Sequence, residues 1–211
     1  MAGWKRKAGL LCAVALVSVC ASVAQLAKEA EAGLRPVQPQ PSIGKSAIQN
    51  GAPGKELIVY VQQPVFGKRT LKVGMLNYGH AFLGIRDPIT GFEQKFGFYP
   101  DGKAMLMWHG RSGGAVHSDE DATWDVRKAY RVSEEDARRL MMSISTQLPS
   151  GKAPGFDMKK YNCSTWVLNE ARIAGVEVQT KQRCKDKVCV NVPTDLGQDL
   201  MENGGEVNSN H

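Results

Sequence analysis

No stretch of the 211 residues carries five or six like charges in a row, so the chain has no basic arm of the kind that binds nucleic acid. Glycine and proline number 22 and 10 and follow no period, which excludes a collagen-like chain or a solenoid. Histidine is scarce, at four, and cysteine stops at five. What is present is ordinary: 42% hydrophobic and 23% charged residues exclude wholesale disorder and describe one globular domain. The net charge of +6 leans toward an anionic partner until the N-terminus is read.

Lys5, Arg6 and Lys7 precede an uncharged apolar run, Ala8 to Ala24, the layout of a secretory signal peptide. Ser22-Val23-Ala24 fits a small-x-small cleavage site, and Ala30-Glu31-Ala32 is a later one. Two alternatives stay open, because the run sits at the lower edge of bilayer-spanning length. It could remain as a membrane anchor, or Val17-Ser18-Val19-Cys20 could serve as a lipobox, although Val19 departs from that pattern. Either way residues 1–24 contact the membrane during export. Without their three cations the net charge falls to +3, and nucleic acid is no longer an expected partner. The protein is expected in the periplasm, or anchored in the inner membrane facing it, or delivered to another cell.

Export also changes the cysteine arithmetic. Cys12 and Cys20 lie in the targeting segment, leaving Cys163, Cys184 and Cys189 in an oxidising compartment. Cys184 and Cys189 are close enough to staple a hairpin or tight loop, which leaves Cys163 unpaired. A zinc site built on that pair needs two more ligands at suitable spacing, and none is there. No metal and no cofactor is expected.

Residues 25–55 are rich in Ala, Gln, Pro, Gly and Ser and read as a flexible linker, with the domain occupying 56–211. Strands are predicted at Leu57–Gln62, Gly79–Ile85, Phe92–Tyr99 and from Trp124 to Val132, with a turn at Asp87-Pro88 and Thr90-Gly91. The polar, Gly-rich stretch Asp101–Asp121 reads as loops. Ser133 and Asp136 form a capping-box variant ahead of a helix through Ala137, Leu140, Met141, Ile144 and Leu148. Asn162 caps a second helix, Cys163 to Ala174, which Gly175 ends. Val176–Gln179 and Val188–Val192 are candidate strands and Thr194–Met201 a short helix. Strands and helices are partly segregated, so the fold class is α+β, with an antiparallel sheet packed against the cysteine-bearing helix.

The chemistry concentrates in two segments. YNCSTW (Tyr161–Trp166) puts Cys163 in the first turn of a helix, where unpaired N–H groups and the macrodipole favour a thiolate. The same N–H groups suit an oxyanion formed when sulfur attacks a carbonyl. A nucleophilic thiol needs a base, and His80 lies in an apolar strand between the small residues Gly79 and Ala81. His109 and His117 sit among Gly and Ser in a stretch read as mobile loop, and His211 is terminal. The bland alternative is a satisfied strand histidine and a buried, inert cysteine.

The order GHAFLGI, then a strand ending GFYP, then a capped helix, then YNCSTW resembles the circularly permuted papain-like enzymes of the NlpC type, over roughly Leu57 to Gly175. In that group the histidine strand precedes the cysteine helix, as here. The resemblance implies a cysteine peptidase or amidase, with Cys163 as nucleophile and His80 as general base. It also implies a third polar residue on the strand after the histidine, which makes Gln94 the preferred candidate and Glu93 the alternative. The group includes cell-wall peptidases and amidases, some delivered by type VI secretion, and lipid enzymes of the lecithin–retinol acyltransferase type. The expected substrate is therefore an amide bond in peptidoglycan stem peptides, with an immunity protein as partner if the chain is an antibacterial effector. A lipid acyltransferase or thioesterase, and a non-enzymatic exported protein, are the competing expectations.

Overall fold

The computed structural model describes residues 54–70, 78–102, 110–149, 151–185 and 188–210. The export segment at 1–24, nearly all of the linker, His109 and His211 lie outside them.

The run Leu57–Val61 does not alternate, and its place in the fold explains why. It forms β1 (Lys55–Gln62), which pairs on one side with β2 (His80–Arg86) and on the other with β5 (Val126–Val132). Leu57, Val59 and Val61 join the main core, whereas Ile58 and Tyr60 pack with Phe82, Ala122 and Trp124 on the opposite face. A strand covered on both faces needs apolar residues at every position. β3 (Glu93–Asp101) and β4 (Arg111–Ser118) extend the sheet beyond β2, with the two-residue strands β6 (Phe156–Asp157) and β9 (Glu206–Val207) at its edges. Among the described residues the sheet has seven strands in the order β6-β4-β3-β2-β1-β5-β9, and every pairing is antiparallel. A separate hairpin pairs β7 (Arg183–Lys185) with β8 (Val188–Val190), and the Cys184–Cys189 disulfide closes it.

Three helices follow the main strands in sequence. Ser133 caps α1 (Glu134–Gln147): its Oγ accepts from the Asp136 N–H at 3.1 Å and donates to the Asp136 carboxylate at 2.7 Å, so the cap forms with the Asp136 side chain turned to the Ser133 hydroxyl. Asn162 caps α2 (Cys163–Ile173) through the Thr165 N–H at 3.1 Å. Gly175, at φ +71°, and Val176 return their N–H groups to Arg172 and Ala171, the two-bond ending that a left-handed glycine permits. α3 (Pro193–Glu202) starts with proline at its first position, where no N–H is needed.

The α+β segregation is as expected, and two local expectations are corrected. The stretch Asp101–Asp121 is not all loop, because β4 lies within it. The segment 176–179 forms no strand. Its Val178 is buried in the core, so its apolar residues serve packing rather than a hydrogen-bonded ladder.

α2 packs across β2 and β3 and is tied to α1 by a buried polar chain. Trp166 Nε1–H donates to Gln147 Oε1 at 2.8 Å, and Gln147 Nε2–H donates to Glu170 Oε1 at 2.8 Å. Burial pushes the Glu170 carboxyl above the ordinary carboxylate range, against the hydrogen bonds from Gln147 and Ser143. A carboxyl raised in the folded state supports folding below its unfolded value near 4.5, and that support is lost as pH rises through the folded value. Above the ordinary carboxylate range the burial of this group therefore opposes folding. Glu170→Gln keeps an acceptor for Gln147 and removes the charge. It should raise stability near neutral pH by about 1 kcal/mol and flatten the decline from acid to neutral pH, read by denaturant melts at both.

Candidate functional site

The start of β2 and the start of α2 meet. Cys163 is buried at the first position of α2, and His80, the first residue of β2, hydrogen-bonds its thiol. His80 Nε2 faces Asp119 Oδ2 at 2.9 Å, which leaves Nδ1 as the nitrogen for sulfur. The order is thus sulfur, imidazole, carboxylate. Asp119 follows β4 directly: its N–H donates to the Lys95 carbonyl at 3.0 Å, and its carbonyl accepts from the Ala122 N–H. It is buried, and its second oxygen accepts from the Tyr99 hydroxyl.

The carboxylate reaches the imidazole because β3 carries no side chain between them. A Cβ on Gly97 would lie well inside contact distance of Asp119 Oδ2 and 2.7 Å from His80 Nε2. Gly97 has ordinary strand backbone. Here the glycine supplies space rather than an unusual φ.

The electrostatics follow from this order. Burial works against the imidazolium, but hydrogen bonds and charge from Asp119 and Cys163 outweigh it and push His80 up to about 9. Burial likewise works against the thiolate, yet Cys163 is held below its ordinary value by His80 and by the backbone N–H groups of Ala81 and Ser164. Each charge in the pair stabilises the other, so the pair titrates as a unit. A thiolate favoured beside an imidazolium is suited to act as a nucleophile with a proton donor in reach.

Both groups line a cavity of about 330 Å³. Its remaining walls are largely apolar and aromatic, from Phe98, Phe156, Met158, Val192 and Pro193, with Tyr78 and Gln62 at the polar side. The Val192 wall is tied to the start of α2, since Asn162 Nδ2–H donates to the Asn191 carbonyl at 2.9 Å.

No family model matches this chain, and no curated protein does. One solved structure is similar. It is the crystal structure of the type VI secretion system effector TseH, at 16% identity and a TM-score of 0.44, covering 71% of this chain and 90% of that one.

Cys163 and His80 are together, but Gln94 is not with them. The hairpin turn joins Arg86 to Glu93, so register runs outward from there and sets Gln94 opposite Ile85, five positions along β2 from His80. At about 3.3 Å per residue that is roughly 17 Å. Gln94 also lies on the wrong face. Residues directly opposite in an antiparallel pair share a face, so Gln94 goes with Ile85, Leu83 and Ala81, whereas His80 goes with Phe82 and Gly84. Of Phe92 and Phe96, whose face is expected to meet the cysteine helix, Phe96 joins the core with Phe98, which stacks on Trp166 of α2, whereas Phe92 precedes β3 and is exposed; the imidazole is not on that face. Glu93 shares the imidazole's face at the far end of the strand, where it accepts from the Tyr60 hydroxyl at 2.6 Å. The position beside His80 belongs to Asp119, which sequence reasoning placed in a loop. The signal that could have found it was the alternation of Val116 and Ser118 against Ala115 and His117, ending in Asp119. His117, also read as loop, is exposed in β4 with its ring 5.7 Å from that of Tyr99.

Among the described residues no cluster of His, Cys, Asp and Glu is arranged to hold a metal. No described helix is long and apolar enough to cross a membrane.

Proposed function

We propose that the chain is an exported cysteine hydrolase that cuts amide bonds in peptidoglycan stem peptides. The observation that carries this reading is the Cys163–His80–Asp119 line opening into one cavity. The apolar segment 8–24 and the Cys184–Cys189 disulfide support an oxidising destination beside the wall polymer.

In the reading, the Cys163 thiolate attacks the amide carbonyl, forming a carbon–sulfur bond while the carbonyl electrons move onto oxygen. The oxyanion develops at the N-terminal end of α2, where the helix dipole favours negative charge, the Thr165 N–H being taken by Asn162. As the tetrahedral species collapses, the carbon–nitrogen bond breaks and the His80 imidazolium delivers its proton to the leaving amine. The neutral imidazole then takes a proton from water, whose oxygen attacks the thioester. The products are a carboxylic acid and the regenerated thiol. Asp119, rather than Gln94, holds the ring and offsets its charge.

Digestion of purified sacculi, followed by mass spectrometry, tests the reading. Released peptides bearing a new amine and a new carboxylate are expected. Turnover of lipid esters alone would replace it with the acyltransferase reading, and no turnover of either would leave a non-enzymatic exported protein. If the chain is an effector, expression directed to a host's periplasm should lyse the cells, and co-expression of an immunity protein should prevent it.

A further inference from the structure

One carboxylate serves two partners in this site, one on each oxygen. Asp119 Oδ2 faces His80 Nε2 at 2.9 Å, and Asp119 Oδ1 accepts from the Tyr99 hydroxyl at 2.5 Å. The Tyr99 ring also lies against the imidazole, with centroids 4.5 Å apart and planes inclined by 31°. Apart from its own backbone, then, Asp119 is held at the oxygen that His80 does not use. A carboxylate fixed at one oxygen by a strong donor loses the freedom to rotate its other oxygen away from the ring.

Taking Cys163 and His80 as the reacting pair, we propose that Tyr99 is a positioning residue of this site: it holds Asp119 in register with His80 and so sets how firmly the imidazolium stabilises the Cys163 thiolate. Tyr99 itself has no part in the proton transfers. Burial, with the hydrogen bond to Asp119, keeps its phenol protonated far above neutral pH, so it remains a donor throughout the working range. The other titratable groups around Tyr99 and His80 are Cys163 from α2, Asp119 just after β4 and His117 from β4, whose ring lies 5.7 Å from that of Tyr99.

The test reads the thiolate directly and needs no substrate. Alkylation of Cys163 by iodoacetamide is followed against pH by peptide mass spectrometry, which reads this residue apart from Cys12 and Cys20, with the Cys184–Cys189 disulfide intact. In the wild type, reactivity should persist well below the ordinary thiol range. In Tyr99→Phe, which removes one oxygen and keeps the ring, the midpoint should move up and the rate at mildly acidic pH should fall about tenfold, the size of one lost charge-assisted hydrogen bond. Asp119→Asn should move it further in the same direction. The double variant should match Asp119→Asn alone, because Tyr99 acts only through the carboxylate.

An unchanged midpoint in Tyr99→Phe, or losses that add in the double variant, would overturn the assignment. Should Tyr99→Phe lose its cooperative melt, Tyr99→Met fills the space without a hydroxyl and takes its place in the cycle. Failure of the hydrolase reading would look different: the alkylation cycle would hold while sacculi stayed intact.

Discussion

Replacing Cys163 with alanine should abolish release of peptides from sacculi while leaving the thermal transition nearly where it was. Knocking out the nucleophile of an acyl-transfer site leaves only binding and electrostatic stabilisation, a loss of roughly 10⁵–10⁶-fold. The structural cost is small by comparison. One sulfur is removed from a site that already borders a cavity, so about 1 kcal/mol is expected. The two readouts separate the hydrolase from the alternative in which Cys163 is a buried filler. A filler's loss would lower the melt and leave any turnover intact. Cys163→Ala should also lower the His80 pKa, because the imidazolium loses its thiolate partner while burial still works against its charge.

Gly97→Ala should also cost activity heavily, at a residue that touches no substrate. The added methyl occupies the space through which Asp119 reaches His80, and the carboxylate must move. The backbone there suits alanine, so the strand should persist and the melt should change by no more than about 1–3 kcal/mol for local overpacking. Turnover should fall by about 10²–10³-fold, a large share of a general-base contribution. The pH profile carries the signature. His80 sits at about 9 because Asp119 and Cys163 outweigh its burial, so the imidazolium is present below that value and lost as pH rises through it. With Asp119 displaced, the basic limb should move to lower pH and the acid limb to higher pH, narrowing the profile from both sides. Rate profiles of the two proteins, measured beside their melts, decide it. A full-width profile in Gly97→Ala would show that Asp119 is not what holds the ring.

Cys163 and His80 were legible because scarcity marks them. Among the described residues one thiol, Cys163, stays unpaired beside the disulfide, and of the histidines read in the sequence His80 alone sits in an apolar run. The caps at Ser133, Asn162 and Gly175 were legible because each satisfies backbone groups through a local, sequence-adjacent partner. Asp119 was not, for the opposite reason. Its link to His80 spans 39 positions and depends on which end of β3 meets which end of β2. Gly113 and Gly114 hid β4 by removing the side chains that make a strand recognisable. Gln94 drew attention through the face it shares with Phe96 and Phe98. That face does meet α2, but an antiparallel register placed the imidazole on the other one.

The bond from the Asn162 side chain to the Asn191 carbonyl has a consequence for how the protein is made. Synthesis proceeds from the N-terminus, so β2, Asp119 and the cysteine helix all emerge before residue 191. Until it arrives, the Asn162 side chain lacks that partner, and the cavity lacks the wall formed by Val192 and Pro193. The C-terminal residues then close the domain at two further points: α3 receives Gln63 through the Thr194 carbonyl, and the Asn208 N–H reaches the Asp125 carbonyl. The nascent chain therefore holds its three central residues for some time without the surroundings that order them. The site is complete only once the residues after 190 have been made.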